Sequence, residues 1–285
     1  MKKLVLTAAS LSIAATLSAH AADISTPPMI YDQPVAEQPH YGEMKSAGGW
    51  YLRGDLGASW NSLRGIDYAV NGGSNVFVSQ KLKSNFSFGA GVGYQVTKRL
   101  RSDLTLDYLT KSDFTGSTVG DCAAAAGTGP DCTSRDIASF SAWSLLANTY
   151  VDLFTYGRVT GYVGAGLGAS YVNWGDLSNT ACETALLTNC DATVVHGGSS
   201  GWRATAALMA GSSVKITCAL SADVGYRYRY IAGGRMFQLA YGAGPGYAEA
   251  IHSHEGKAGL RYSFGGCAEH ETPAYLTPQL PPVYK

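Results

Sequence analysis

Charge is the scarcest feature of this 285-residue chain. Asp, Glu, Lys and Arg make up 15 % of it, against about 25 % in an average soluble domain. The 21 basic and 21 acidic residues cancel. A nucleic-acid binder that works through a basic field is therefore excluded. After the first twenty residues no second long apolar run occurs, which excludes a polytopic helical membrane protein. No helical period is sustained anywhere, and no C-x₂-C pair suggests a zinc site. At 46 % hydrophobic the chain is not disordered throughout.

What is abundant is glycine, 35 residues or about 12 % against a usual ~7 %, and tyrosine, with 18 residues. Lys2 and Lys3 precede an apolar stretch from Leu4 to Leu17 and the triplet Ala19-His20-Ala21. This is the pattern of a cleaved export signal over 1–21, and the stretch is too short for a transmembrane anchor. Removing two lysines leaves 19 basic and 21 acidic residues, a charge of −2. Pro27, Pro28, Pro34 and Pro39 mark 22–47 as an extended linker. Pro273, Pro278, Pro281 and Pro282 mark 267–285 as a similar tail. Either tail reaches towards peptidoglycan or a periplasmic protein, or is simply solvated. The folded unit is predicted over 48–266.

Within that unit apolar and polar residues alternate in eight segments: 50–60, 86–96, 100–108, 143–153, 159–170, 204–214, 220–230 and 257–264. Connections at 97–98, 155–157 and 217–218 are short. Those at 61–80, 111–138, 174–200 and 231–250 are long, and are read as loops. The expected fold is all-β, an eight-stranded antiparallel up-and-down transmembrane barrel with long external loops and short periplasmic turns.

Alternation alone leaves open which face is inside. The loop asymmetry favours a membrane barrel with its apolar face outward. Trp50 and Trp60 share a face ten residues apart, about 33 Å along a strand and roughly 25 Å after tilting, the height of a lipid-facing band. Gly89, Gly91, Gly93, Gly164, Gly166 and Gly168 fill the polar faces of two segments and leave room for larger side chains from other strands. The last segment ends in Gly259, Tyr262 and Phe264, a pattern like the signal read by the barrel-insertion machinery.

Gly48-Gly49-Trp50-Tyr51-Leu52-Arg53-Gly54-Asp55-Leu56-Gly57, Ala222-Asp223-Val224-Gly225-Tyr226-Arg227-Tyr228 and Gly259-Leu260-Arg261-Tyr262-Ser263-Phe264 resemble the opacity-like small outer-membrane β-barrel family of alphaproteobacteria. The family is similar in architecture to the OmpA-type domain. The resemblance implies contact with outer-membrane lipid and lipopolysaccharide, and it allows haemin binding, as in some relatives. Members usually stop at the terminal aromatic, whereas here 21 residues follow Phe264.

On this topology Cys122 and Cys132 share the second external loop, and Cys182 and Cys190 the third. Cys218 and Cys267 meet at the periplasmic end. The predicted disulfides are Cys122–Cys132, Cys182–Cys190 and Cys218–Cys267. The inward charges are Arg53, Asp55, Arg101, Asp103, Asp107, Asp152, Asp223, Arg227, Arg229, Glu255, Lys257 and Arg261. In so narrow an interior they are expected to form an ion-pair network that plugs the lumen, with a narrow pore as the alternative. His196, His252 and His254 are weak haem or metal candidates, or exposed loop residues. Ser253 lies between two histidines on the opposite strand face and so forms no nucleophile–base pair. Gly164-Ala165-Gly166-Leu167-Gly168 reads as an inward glycine face, without the spacing or following helix of a phosphate loop. The patches 76–78 and 236–239 either contact a partner or pack on each other. No enzymatic activity and no cofactor are expected. The function read from the sequence is structural, supporting the envelope and presenting loops at the surface. The alternatives are an adhesin or haemin receptor, and a small porin-like channel.

Overall fold

The structure, a computed structural model, describes residues 49–70, 73–121, 131–185, 189–240 and 243–265. The chain divides into two units, Met1–Glu43 and Met44–Lys285, and the described residues belong to the second. The predicted export signal, linker and tail lie outside the described residues.

The described residues form thirteen antiparallel strands: β1 (Trp50–Val70), β2 (Gly73–Val76), β3 (Ser79–Leu82), β4 (Asn85–Gln95), β5 (Leu100–Ser117), β6 (Val119–Asp121), β7 (Asp131–Tyr156), β8 (Val159–Trp174), β9 (Leu177–Glu183), β10 (Val194–His196), β11 (Ser200–Lys215), β12 (Leu220–Phe237) and β13 (Ala243–Ser263). Eight of them contain the eight alternating segments of the sequence. These pair in the order β1-β4-β5-β7-β8-β11-β12-β13, and β13 pairs again with β1. The stagger of this ring can be read from register partners. Trp50 pairs with Tyr94, then Ser102, Thr149, Ala165, Leu208, Tyr228 and His254 follow, and His254 pairs with Trp60. One circuit thus climbs ten residues of β1, from 50 to 60. With ~3.3 Å per residue and ~4.8 Å between strands, that stagger over eight strands tilts them by about 40°.

Three short connections close one end of the ring. Thr97 and Thr217 use the same device, each hydroxyl accepting the amides two and three residues on, at 3.2 and 2.9 Å. The third turn is Gly157-Arg158, where Gly157 has a φ of 58° that a side chain would strain.

The opposite end departs from expectation. Among their described residues, segments 61–80, 111–138 and 231–250 are mostly strand, and 174–200 carries β9 and β10, so the sheet continues beyond the alternating segments into the expected external loops. Backbone pairing persists there although the alternation breaks. Register shifts fall between Leu109 and Ser112 and between Arg235 and Phe237. On β1 the buried positions change from Ser59 and Leu63 to Ile66 and Tyr68 around Gly65, which has a φ of 44°. Such irregularities re-aim side chains without ending a strand.

Candidate functional site

The outward positions between the two Trp levels carry no Asp, Glu, Lys or Arg. They include Leu52, Leu56, Phe88, Val92, Leu104, Leu106, Leu145, Val163, Leu167, Leu208, Val224 and Leu260, all exposed. A soluble monomer rarely leaves so much contiguous apolar surface in water. Aromatic residues rim this wall: Trp50, Tyr94, Tyr262 and Phe264 at the turn end, and Trp60, Trp143, Tyr171 and Trp202 towards the other. A lipid-facing band between aromatic girdles has this form, and the protein is placed in the Gram-negative outer membrane.

The interior is filled in three layers. Nearest the turn end is an ionic layer containing the twelve charges named from the sequence. Arg53 bridges Asp55 at 2.8 Å and Asp103 at 2.9 Å, and Arg227 bridges Asp107 at 2.8 Å and Glu255 at 2.7 Å. Arg229 stands 3.5 Å from Asp107 and 3.4 Å from Glu255. Lys257 lies 3.5 Å from Asp55 and 3.7 Å from Asp107. Lower down, Arg101 lies 3.4 Å from Asp152 and 4.0 Å from Asp223, which also faces Arg261 at 3.7 Å. Neutral groups add bonds. Tyr51 donates to Asp103 at 3.1 Å, Asn148 Nδ2 donates to Asp103 at 2.8 Å, and Ser87 donates to Glu255. The Arg101 guanidinium sits 4.7 Å from the Tyr150 ring centre and 4.5 Å from that of Tyr162. Inward glycines make this crowding possible. A Cβ at Gly89 would strike the Asp107 carboxylate, and one at Gly259 the Asp55 carboxylate. A cavity of about 20 Å³ beside Arg53, Asp55, Asp223 and Lys257 has room for about one water molecule.

Above lies a layer of hydroxyls and amides. Ser170 is 2.7 Å from both Ser144 and Thr205, and Ser253 donates to Asn61 at 2.5 Å. Ser253 thus points inward while its neighbouring histidines point outward.

The third layer is apolar. Leu63, Leu109, Phe140, Val172, Ile231 and Ile251 are buried there. Phe77, Phe114, Trp174 and Phe237 continue it, with ring centres 5.8 to 6.1 Å apart. Phe77 and Phe237, from the two apolar patches of the sequence, therefore pack in one interior cluster. At its far edge the Tyr68 hydroxyl lies 2.7 Å from His196 Nε2, and Gln238 O lies 3.2 Å from His196 Nδ1. Asp136 accepts from Ser134 at 2.6 Å and from Asn179. Burial raises the Asp136 carboxyl above its ordinary value, opposed by those two hydrogen bonds and by His196.

Several sequence assignments are revised by this geometry. His196 is 1 % exposed and faces the interior, so it is no exposed loop residue. His252 and His254 lie on the outward wall, bonded to Tyr228 and Tyr226. The three histidines are not brought together, because alternate sides of the sheet separate them. Among the described residues no group of three or more His, Cys, Asp or Glu side chains is placed to hold a metal. Arg203 and Asp136 were missed. Arg203 is buried, and its Nη2 donates to the Arg235 carbonyl at 2.5 Å. Its inward position was readable from the alternation of 204–214 extended by one residue. Asp136 falls in a segment read as loop.

Cys182 and Cys190 form a disulfide. Cys132 and Cys218 are also disulfide-bonded, while Cys122 and Cys267, their expected partners, lie outside the described residues. Gly259 faces inward. Tyr262 and Phe264 face outward with ring centres 5.4 Å apart, and the Phe264 amide donates to Trp50 O at 2.9 Å.

No protein-family model matches the chain. An uncharacterised protein of Brucella abortus is 34 % identical over 253 residues, spanning 76 % of this chain and 85 % of that protein. A Rickettsia bellii protein named as a candidate adhesin is 26 % identical over 222 residues, 75 % of this chain and 87 % of that protein. Among solved structures, the outer membrane protein OprG of Pseudomonas aeruginosa is 14 % identical with a TM-score of 0.44, over 77 % of this chain and 97 % of that chain. With a third of the aligned residues shared across most of the Brucella protein, the chain belongs to that protein's family.

Proposed function

We propose that the protein is a closed, eight-stranded, non-conducting barrel. It supports the outer membrane and holds a sheet above the cell surface, without enzymatic activity. The observation that carries this reading is the filling of the interior by described side chains. An ionic layer, a hydroxyl layer and an apolar layer follow one another, and a cavity beside Arg53 and Lys257 in the ionic layer has room for about one water. An aqueous pore needs a continuous wet path, and charges that pair across a narrow lumen remove it. On this reading the three short turns are periplasmic and the apolar layer closes the external end. Residues 1–21 direct export, Gly259, Tyr262 and Phe264 are offered to the insertion machinery, and the Pro-rich tails extend into the periplasm. Planar-bilayer recording tests the plug. No conductance above the bare bilayer is expected, and reproducible unitary steps overturn it.

A second role, adhesion, is favoured by the sheet of β6, β7, β9 and β10, whose outward face carries Thr133, Arg135, Ile137, Ser178, Thr180, Thr193 and Val195. Such a face, with few charges and many hydroxyls, suits contact with a host surface, and the name of the Rickettsia bellii relative agrees. Cell attachment by bacteria displaying the wild type, compared with a variant bearing Lys at 137, 180 and 195, tests it. Equal attachment removes the role. Haemin binding through His196, His252 and His254 together loses its basis, since these residues lie on opposite sides of the sheet.

A further inference from the structure

The outward wall carries no Asp, Glu, Lys or Arg between the girdles, and its imidazoles are gathered at one place. Near the upper girdle on β12 and β13, Tyr226, Tyr228 and Tyr230 stand beside His252 and His254. The Tyr226 hydroxyl is 2.6 Å from His254 Nδ1, and the Tyr228 hydroxyl is 2.5 Å from His252 Nδ1. On the other side, β1 supplies Trp60 as the register partner of His254 and Ser62 as that of His252. Arg64 follows two residues later on the same face, a diagonal neighbour of His252 at roughly 7–8 Å between backbones, within reach of a long side chain. Arg64 is exposed, and among the described residues it closes no ion pair. The acid nearest in register, Glu249, lies over Gly65 and closes no ion pair with Arg64 either. At the upper girdle of β5, β7, β8 and β11 the residues are Tyr108, Trp143, Tyr171 and Trp202, with no imidazole or cation among them.

We propose that Arg64, His252 and His254 bind the phosphate of an outer-leaflet glycolipid headgroup. A phenol that donates to Nδ1 leaves the imidazole proton on Nε2, free to donate to an anion. Two ring N–H groups, the Ser62 hydroxyl and a guanidinium then converge where headgroups begin. A guanidinium fork matches phosphate oxygens in geometry and charge. Trp60 and Tyr230 supply flat, amphipathic surfaces for the sugar and upper acyl chains. Zinc or copper is a poorer occupant, because Arg64 repels a cation. The site requires a wall that faces lipid, as in the barrel reading, but not a plugged lumen.

Native mass spectrometry of the full protein tests the site, using diphosphorylated lipid A, phosphatidylcholine and inorganic phosphate as probes. Wild type is expected to retain lipid A, and the Arg64→Gln/His252→Gln double variant to lose at least tenfold in retention while keeping the heat-dependent gel shift of a folded barrel. Equal retention by the double variant, equal retention of phosphatidylcholine, or displacement of lipid A by millimolar phosphate overturns the proposal. Should the double variant not fold, ¹⁵N spectra of the wild-type histidines decide. Lipid A is expected to shift two Nε2 signals, and unmoved signals overturn the site. A wild type without the gel shift overturns the barrel itself, and the headgroup site with it.

Discussion

Arg227 on β12 donates through Nη1 to Asp107 on β5 at 2.8 Å, across the interior between strands that do not pair with each other. The contact ties opposite walls of the ring. Asp107 also faces Arg229 and Lys257, so its carboxylate balances three cations. Asp107→Asn keeps the size but leaves a buried cation uncompensated. The expected loss is about 3–5 kcal/mol, read as a lower urea midpoint for the gel-shifted form in detergent. An unchanged midpoint would mean that water already compensates these charges.

Phe140 is fully buried against Trp174, with ring centres 5.1 Å apart. Phe140→Ala removes most of a ring from a packed layer and is expected to cost about 3–5 kcal/mol. The ionic layer beneath is untouched, so no conductance should appear in bilayers. Urea unfolding and bilayer recording on the same preparation check both halves of this expectation.

The Asp136 carboxyl sits above its ordinary value because it is buried. The fold therefore prefers its protonated form. Stability from this group is present below the unfolded value, near 3.9, and is lost as pH rises through the elevated folded value. The far end of the ring should open more readily at neutral pH than at a pH below about 3.9. Hydrogen exchange in β9 and β10, corrected for intrinsic rates, should show this, and Asp136→Asn should remove the difference.

Cys182 and Cys190 close a loop with a sequence separation of 8. On the chain-entropy account such a loop is worth about 2–3 kcal/mol. Because β9 pairs, among the described residues, with β7 and β10 alone, the loss from a Cys182→Ser/Cys190→Ser double variant should stay local. Limited proteolysis should cut faster within 177–196, while the urea midpoint of the remainder holds.

How much was legible differs from element to element. The odd residues from Tyr51 to Ser59 read as inward, and they are. At Gly65 the face switches, so Leu63 and Ile66 both end inside, and a period-two reading stops one turn of the pattern too early. That switch hid part of the apolar layer, since Phe114 and Phe237 sit beyond similar irregularities, whereas Trp174 continues the parity of Ser170 and Val172 just past its segment. His196 looked like a surface residue only because the surrounding segments were read as loops. The twelve inward charges were readable one by one, but Arg203 was overlooked just outside its segment, and Asp136 just outside any.

By itself the sequence determined what is local: period-two alternation, the positions of the three short turns, and a wall without charge. Side-chain direction along a strand depends only on parity, which neighbouring residues carry. Tertiary structure alone decided which charge meets which. Arg227 reaches Asp107 because the ring accumulates ten residues of stagger in one circuit. That stagger is a sum over all the pairings, and no single segment records it. The same sum brings His254 beside Trp60 and sets the two histidines, with Arg64, at the edge of the lipid-facing band.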